Sequence, residues 1–409
     1  MLLPPEMTGP HTPASLGAPA SMGVYVHFPW CKQKCPYCDF LSLPLGDGSV
    51  PHRAYADAVL GELDRRAEEL AALPVHSIFF GGGTPSLWEP AELGRVLAAL
   101  RARFPSTPDC EVTVECNPSS FDRRVAEGLA SAGVNRISLG VQSLDAERLS
   151  FLGRLHDGPG AVGAVELALA TGFPRVSADL IFGVAGQAAD VAAGEARRLV
   201  GLGLSHLSAY ALTIEPGTEF GERARRGRLP LLGDDATGDS FAAVDAALGE
   251  LGLRHYEISN YARPGHESRH NLGYWRGEPY LGLGVGAWGT VPSSGSRVRY
   301  RNTPNLTRYL EHARSEPIAL GEGSHHVAAF EDLSPSTLLM ERLMLGLRLA
   351  EGVDLEQLET ELGVEVRTTE RVRAIDRWLK RGALLRDGAR LRLDRAYFLL
   401  ADAVIRDVA

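Results

Sequence analysis

Apolar and polar positions alternate along this chain with a period that keeps switching. Residues 24–28, Val-Tyr-Val-His-Phe, put an apolar side chain at every second position, the spacing of a strand, and residues 53–73 carry them at helical spacing. A buried strand over 78–80 then runs into Gly81-Gly82-Gly83-Thr84-Pro85-Ser86, with a helix from about residue 90. The exchange continues with strands over 111–115, 136–141, 175–182 and 206–214. Each is separated from the next by a helical segment long enough for a right-handed crossover between parallel neighbours. Six such units predict an α/β protein whose sheet curls into an incomplete (β/α)6 barrel.

Past Glu215 the alternation breaks. Residues 216–230 read as a Gly/Arg-rich connection, 235–251 as a helix, and 255–289 as an aromatic- and glycine-rich segment, with further helices near 304–313 and 336–349. At the end, helices over 355–362 and 371–381 precede a hairpin over 383–393 whose turn is Asp387-Gly388, a winged-helix-like order. The expected divisions are a disordered tail over 1–22, a barrel over 23–230, an extension over 231–330, and a C-terminal helical, winged-helix-like domain over 331–409.

Composition narrows the function classes. The 409 residues are 44% hydrophobic with a formal net charge of −9, which argues against nucleic acid as the main partner. Arginines on the 371–381 helix are offset by Glu351, Asp354, Glu356, Glu359 and Glu361, so the last module is expected to pack on the barrel. No apolar run approaches the roughly 20 residues that span a bilayer. The first 22 residues contain Glu6 but neither Lys nor Arg, unlike a signal peptide; they read as a tail, or as an upstream start with Met22 the functional beginning. The expected compartment is cytoplasmic, where thiols stay reduced.

Candidate chemistry gathers at the strand ends, where parallel α/β architectures place their working residues. Cys31, Cys35 and Cys38, spaced C-x3-C-x2-C, follow the first strand. Three thiolates on one loop can hold three irons of a [4Fe-4S] cube and leave the fourth iron open. A zinc site completed by His27, Cys110 or Cys116 is the alternative; disulfides are disfavoured by an odd count of five cysteines. The glycine run follows strand two, where residues lacking side chains leave backbone open to a ligand. Glu115 ends strand three, Gln142 and Ser143 end strand four, and Asp179 and Ala211 lie in strands five and six.

The cysteine spacing after that strand resembles the radical S-adenosylmethionine (SAM) superfamily. More specifically, Y-x-H-F-P-W-C-x3-C-x-Y-C, G-G-G-T-P-S, E-C-N-P, G-V-Q-S-L, L-G-R-x-H and D-L-I-F-G, in this order, resemble the oxygen-independent coproporphyrinogen III oxidase family from residue 23 onward. The resemblance implies SAM chelating the open iron, with SAM contacts at Tyr25, Tyr37, Gly82, Gly83, Thr84 and Glu115. It also implies second-SAM contacts at Gln142, Arg154, Asp179 and Ala211. The family's oxidases carry one more cysteine two positions after the third, where this chain has Phe40; the chain has instead His270-Asn271-Leu272-Gly273-Tyr274-Trp275. Both features resemble the haem chaperone (HemW-type) branch, which implies haem at His270 and delivery to haem-accepting respiratory proteins. The competing implication is oxidative decarboxylation of coproporphyrinogen III, with flavodoxin or ferredoxin as electron donor if SAM is cleaved. The oligomeric state, a dimer included, stays open.

Overall fold

The computed structural model describes residues 20–66, 70, 72–293, 296–312 and 327–409, so the expected tail lies largely outside the described residues. The alternating run at its start is the middle of one sheet. Strand β1 (Met22–Phe28) takes in Met22 and pairs in parallel with β2 (Val75–Gly82). Outward from β2 follow β3 (Ser106–Cys116), β4 (Arg136–Gln142), β5 (Arg175–Phe182) and β6 (His206–Ala211), each parallel to the one before. Between them run α1 (His52–Arg66), α2 (Pro90–Arg103), α3 (Arg123–Ala132), α4 (Gly158–Thr171) and α5 (Ala189–Gly201). Asp122 and Asp157 start α3 and α4 by accepting the Val125 and Gly160 amides, and Gly133 and Gly172 end them in the left-handed conformation.

The sheet does not stop at six strands. After α6 (Asp234–Glu250), the strands β7 (Arg254–Glu257) and β8 (Asn260–Ala262) add antiparallel to the β6 edge. The chain then passes through α7 (Arg269–Trp275), and β9 (Tyr280–Leu283) pairs with the free edge of β1, in parallel. Strands β10 (Trp288–Ser293), β11 (Ser296–Asn302) and β12 (Val327–Leu333) continue antiparallel, giving twelve strands in the order β12-β11-β10-β9-β1-β2-β3-β4-β5-β6-β8-β7. The segment over 255–289, expected only to be rich in aromatics and glycine, therefore supplies a seventh parallel strand. The connection over 216–230 also contains a helix, Glu219–Arg225.

Parallel sheets covered on both faces usually read as nearly continuous apolar runs. This one does not, because its faces differ. Val24, Val26, Phe28, Ile78, Phe80, Val112, Val114, Ile137 and Leu139 are buried in the main core with the helices. The opposite face carries rows fixed by the register: Tyr25, Phe79, Thr113 and Arg136 in one, Glu115, Ser138, Ser177 and His206 in the next. A buried polar face on a closely packed sheet is costly unless its groups are satisfied or used.

A buried carboxylate ties α1 to the added strands. Glu62 accepts from Arg66, the Gly284 amide, the Asn302 side chain and the Tyr309 hydroxyl, the last on α8 (Leu306–His312). The C-terminal module has its own core. It contains α9 (Pro335–Gly346), α10 (Leu355–Leu362), α11 (Thr369–Lys380), a hairpin of Leu384–Asp387 with Arg390–Leu393, and α12 (Ala401–Val408). Gly388, at φ +58°, makes the hairpin turn. On α11, Arg371 closes on the carbonyls of Val366, Val408 and Ala409 and Arg377 pairs with Asp407, so both hold the module together.

Candidate functional site

The cysteine loop leaves the carboxyl end of β1 and is clasped by a two-residue pairing of Trp30–Cys31 with Leu43–Pro44. All three thiols are free and half-buried. Burial raises the thiol pKa of Cys31 and of Cys38, with the Thr84 and Phe40 hydrogen bonds pulling the other way. Thr84 donates its hydroxyl to Cys31 Sγ at 3.4 Å, and Arg154 Nη1 lies 3.4 Å from Cys35 Sγ. Arg154 also donates to the Gly140 carbonyl at 2.7 Å and contacts the Tyr37 hydroxyl, so it bridges the loop to the end of β4. Tyr37 packs on Phe220.

Among the described residues the zinc alternative finds no fourth ligand. Both ring nitrogens of His27 are engaged, by the Tyr25 hydroxyl at 3.0 Å and the Leu41 carbonyl at 2.9 Å, and burial lowers its pKa to about 4. Cys116 is buried and faces the Val114 carbonyl, and Cys110 faces Glu111. Among the described residues no three His, Cys, Asp or Glu side chains converge as one ion requires.

Below the loop lies the polar face. Glu115 accepts the Gly82 amide at 3.1 Å; burial, reinforced by the charge of Asp179, pushes its carboxyl up to about 8. Burial raises Asp179 too, against hydrogen bonds from Ser208 and Ser138. The glycine run is dictated first by its own chain. A Cβ on Gly82 would meet the His27 ring at 2.4 Å, and one on Gly83 would meet the Trp30 carbonyl oxygen at 2.6 Å. Gly82 also sits at φ +111°. These glycines bring β2 hard against the cysteine loop.

Gln142 has the only positive φ of a non-glycine residue among the described residues, +66°, and its Oε1 is buried without a partner. Arg154 Nε, also buried, lacks one as well. Glycine at 140 leaves room for both side chains, since a Cβ there would lie 3.1 Å from Gln142 Nε2 and 3.3 Å from Arg154 Nη2. Strained backbone and orphaned polar atoms beside three thiols make a cradle that fits a polar cofactor. Thus Thr84 and Arg154 contact thiols of the loop that carries Tyr37, Gln142 lies near Arg154 beside Gly140, and Tyr25, Glu115 and Asp179 are on the face beneath. Ala211 ends β6 opposite Phe182, and its carbonyl accepts from Thr213.

One organising residue escaped the sequence reading. Glu195 on α5 is buried and accepts from the Ser143 hydroxyl, the Leu144 amide, Gln187 and Arg148, pinning the chain just past Gln142. Its signal was an acid on the apolar side of a helix.

His270 lies at the other end of the sheet. It begins α7 and is 3% exposed, with Nδ1 2.9 Å from the Ser77 hydroxyl and its ring stacked on Phe79 and edge-on to Tyr274. Burial lowers its pKa to about 3, and Nε2 has no partner. Ser77 pairs with Gly23, five residues or about 16 Å of strand before Phe28, but the His270 ring leans along the polar face to within 6.4 Å of the Tyr25 ring.

The Radical SAM superfamily profile matches residues 25–191, and the HemN C-terminal domain profile matches residues 333–400. A protein of Mycobacterium tuberculosis named heme chaperone HemW is 38% identical over 385 residues, 94% of either chain. This chain belongs to the HemW family of radical SAM proteins. The Escherichia coli heme chaperone HemW is 42% identical over 300 residues, covering 72% of this chain and 78% of its own. The solved structure of coproporphyrinogen III oxidase (HemN) from Escherichia coli superposes with a TM-score of 0.78 at 22% identity, covering 95% of this chain and 90% of that one. That likeness shows the shared fold, an α/β sheet with a C-terminal helical region. Membership of the radical SAM superfamily implies a [4Fe-4S] cluster and SAM. Among the described residues no helix is long and apolar enough to cross a membrane.

Proposed function

We propose that this HemW-family protein is a haem chaperone that binds haem, a [4Fe-4S] cluster and SAM, and hands haem to respiratory haem proteins. The observation that carries the reading is position 40. Where the oxidases are expected to carry a further cysteine, Phe40 is 64% exposed beside the cysteine loop. An exposed phenyl ring neither ligates a metal nor exchanges protons. Cys31, Cys35 and Cys38 would hold the cluster, which when bound offers SAM an open iron corner.

Tyr25, Tyr37, Gly82, Gly83, Thr84 and Glu115 are the proposed SAM contacts, and Gln142, Arg154, Asp179 and Ala211 the proposed second set. Within these, Arg154 brings fixed positive charge to the thiols, and Thr84 donates a hydrogen bond to one of them. Gln142 presents an oxygen with no other partner to whatever donor group binds there. His270 is the proposed haem contact. Its imidazole is neutral and free at Nε2, as an iron ligand must be, and contact requires Phe79 and Tyr274 to move aside.

The deciding experiment uses cluster-loaded protein under anaerobic conditions with SAM and a reductant. Haem binding is titrated, transfer to an apo-cytochrome is followed, and coproporphyrinogen III is offered in parallel. Haem uptake and transfer with no protoporphyrinogen IX are expected; turnover of coproporphyrinogen III would establish the oxidase reading instead.

A further inference from the structure

The side chains that cover His270 also reach the rim. The imidazole is 3% exposed, whereas Phe79, Tyr25 and Tyr274, the rings packed around it, are half-buried. Phe79 lies face to face with it, ring centres 4.9 Å apart at 21°, and Tyr274 meets it edge-on at 4.6 Å. The unpartnered Nε2 thus sits under a cover of side chains, not under backbone.

Phe79 has a second set of neighbours. On the sheet it stands beside Tyr25 of β1, with the two rings 6.2 Å apart at 24°. Two residues on, a Cβ at Gly81 would meet Phe79 Cε1 at 2.9 Å, Tyr25 Cε2 at 3.0 Å and Glu115 Oε2 at 3.2 Å. Three side chains therefore converge over one glycine. Two of them, Tyr25 and Glu115, are proposed SAM contacts, and the third covers His270. Tyr25 is tied at its far end, since its hydroxyl is 3.0 Å from His27 Nδ1 and His27 Nε2 is 2.9 Å from the Leu41 carbonyl. Glu115 is tied as well, to the Gly82 amide.

We infer that Phe79 is a positioning residue shared by the two sites, a shutter over His270 whose closed packing is the one in which Tyr25 and Glu115 meet SAM, so that SAM and haem oppose each other's binding. The inference rests on the chaperone reading and on its placing of haem at His270 and SAM at Tyr25. Haem contact needs Phe79 off the imidazole. SAM held by Tyr25 and Glu115 keeps the group around Gly81 closed. Two ligands that favour different arrangements of one packed group weaken each other by the same factor. Haem is then taken up while the rim is vacant and given up as SAM arrives.

The test is a haem titration of the cluster-loaded full chain, followed by the Soret band, with and without saturating SAM. No reductant is added, so SAM stays intact, and the iron content of the cluster checks folding. In the unaltered chain SAM is expected to weaken haem binding at least about fivefold, the lower end of ordinary coupling between sites, and haem to weaken SAM by the same factor. Phe79→Leu, which keeps apolar bulk without a flat ring, is expected to bind haem equally with and without SAM. Phe79→Tyr, which keeps the ring, is expected to restore the difference. The ratio of the two affinities is the readout, because a merely structural role for Phe79 would move both alike. Haem binding that needs His270 but ignores SAM, or is strengthened by it, overturns the shutter and leaves the chaperone reading standing. A SAM effect that survives Phe79→Leu unchanged also overturns it. No haem binding by the unaltered chain ends both.

Discussion

Gln142 pays twice for its place, with a backbone angle that glycine would hold freely and a side-chain oxygen cut off from water. Proteins keep such strain where it positions something. Gln142→Gly is therefore expected to leave the melting temperature of the cluster-free chain unchanged or raised, while weakening SAM binding to the cluster-loaded protein; melting curves and SAM titrations check both halves. Glu115 makes a second prediction. Its carboxyl titrates near 8 in the fold against an ordinary 4.5, so the folded chain holds a proton that the unfolded chain releases between those values. Stability is full below about pH 4.5 and is lost as pH rises toward about 8. In cluster-free protein, Glu115→Gln should flatten that decline, making the variant the more stable of the two at pH 8 and removing its advantage near pH 4. Urea unfolding at the two pH values measures it. The cysteine triplet was legible because its spacing is itself the chemistry. The strain at Gln142 and the clamp at Glu195 were not, since neither a dihedral angle nor a partner some fifty positions away is written locally.

At the scale of elements, strands β1 to β6 were readable from alternation because each has one face against helices. Strand β9 was not. It is four residues long, and Gly282 at its centre allows Trp288 to approach so closely that a Cβ would lie 1.7 Å from its carbonyl oxygen. A glycine in such a short run looks like loop until its neighbours are known. Gly282→Ala is expected to prevent β9 and β10 from pairing and to lower the melting temperature sharply, whereas Gly163→Ala on exposed helix surface, where a Cβ meets nothing, should not. Glu62 fastens the same region. Glu62→Ala would leave the Arg66 guanidinium buried without its carboxylate, at a cost of about 3–5 kcal/mol. Chemical denaturation would show it, and a loss below about 1 kcal/mol would contradict the role given to this anchor.

Across the whole molecule, the winged-helix-like order of the last module was visible from two helical periods and an Asp-Gly turn. Its docking against the amino ends of the strands was not, because it depends on pairs such as Arg276 with Glu351 that lie 75 positions apart. The cluster should act on the entire fold. A group held only by the native loop stabilises the native state, so anaerobic loading is expected to raise the melting temperature, and chelation or Cys31→Ser, Cys35→Ser and Cys38→Ser together to remove the gain. Calorimetry on loaded and stripped protein tests this. The seven parallel strands all run in one sense, from the neighbourhood of His270 and His76 to the rim of the three thiols. Between the two ends lies a stack of rings on the polar face, His270 on Phe79 and on Tyr25, whose hydroxyl reaches His27 beside the cysteine loop. A displacement at His270 would therefore be felt at the thiol rim through that train of touching rings, as one coach nudges the next.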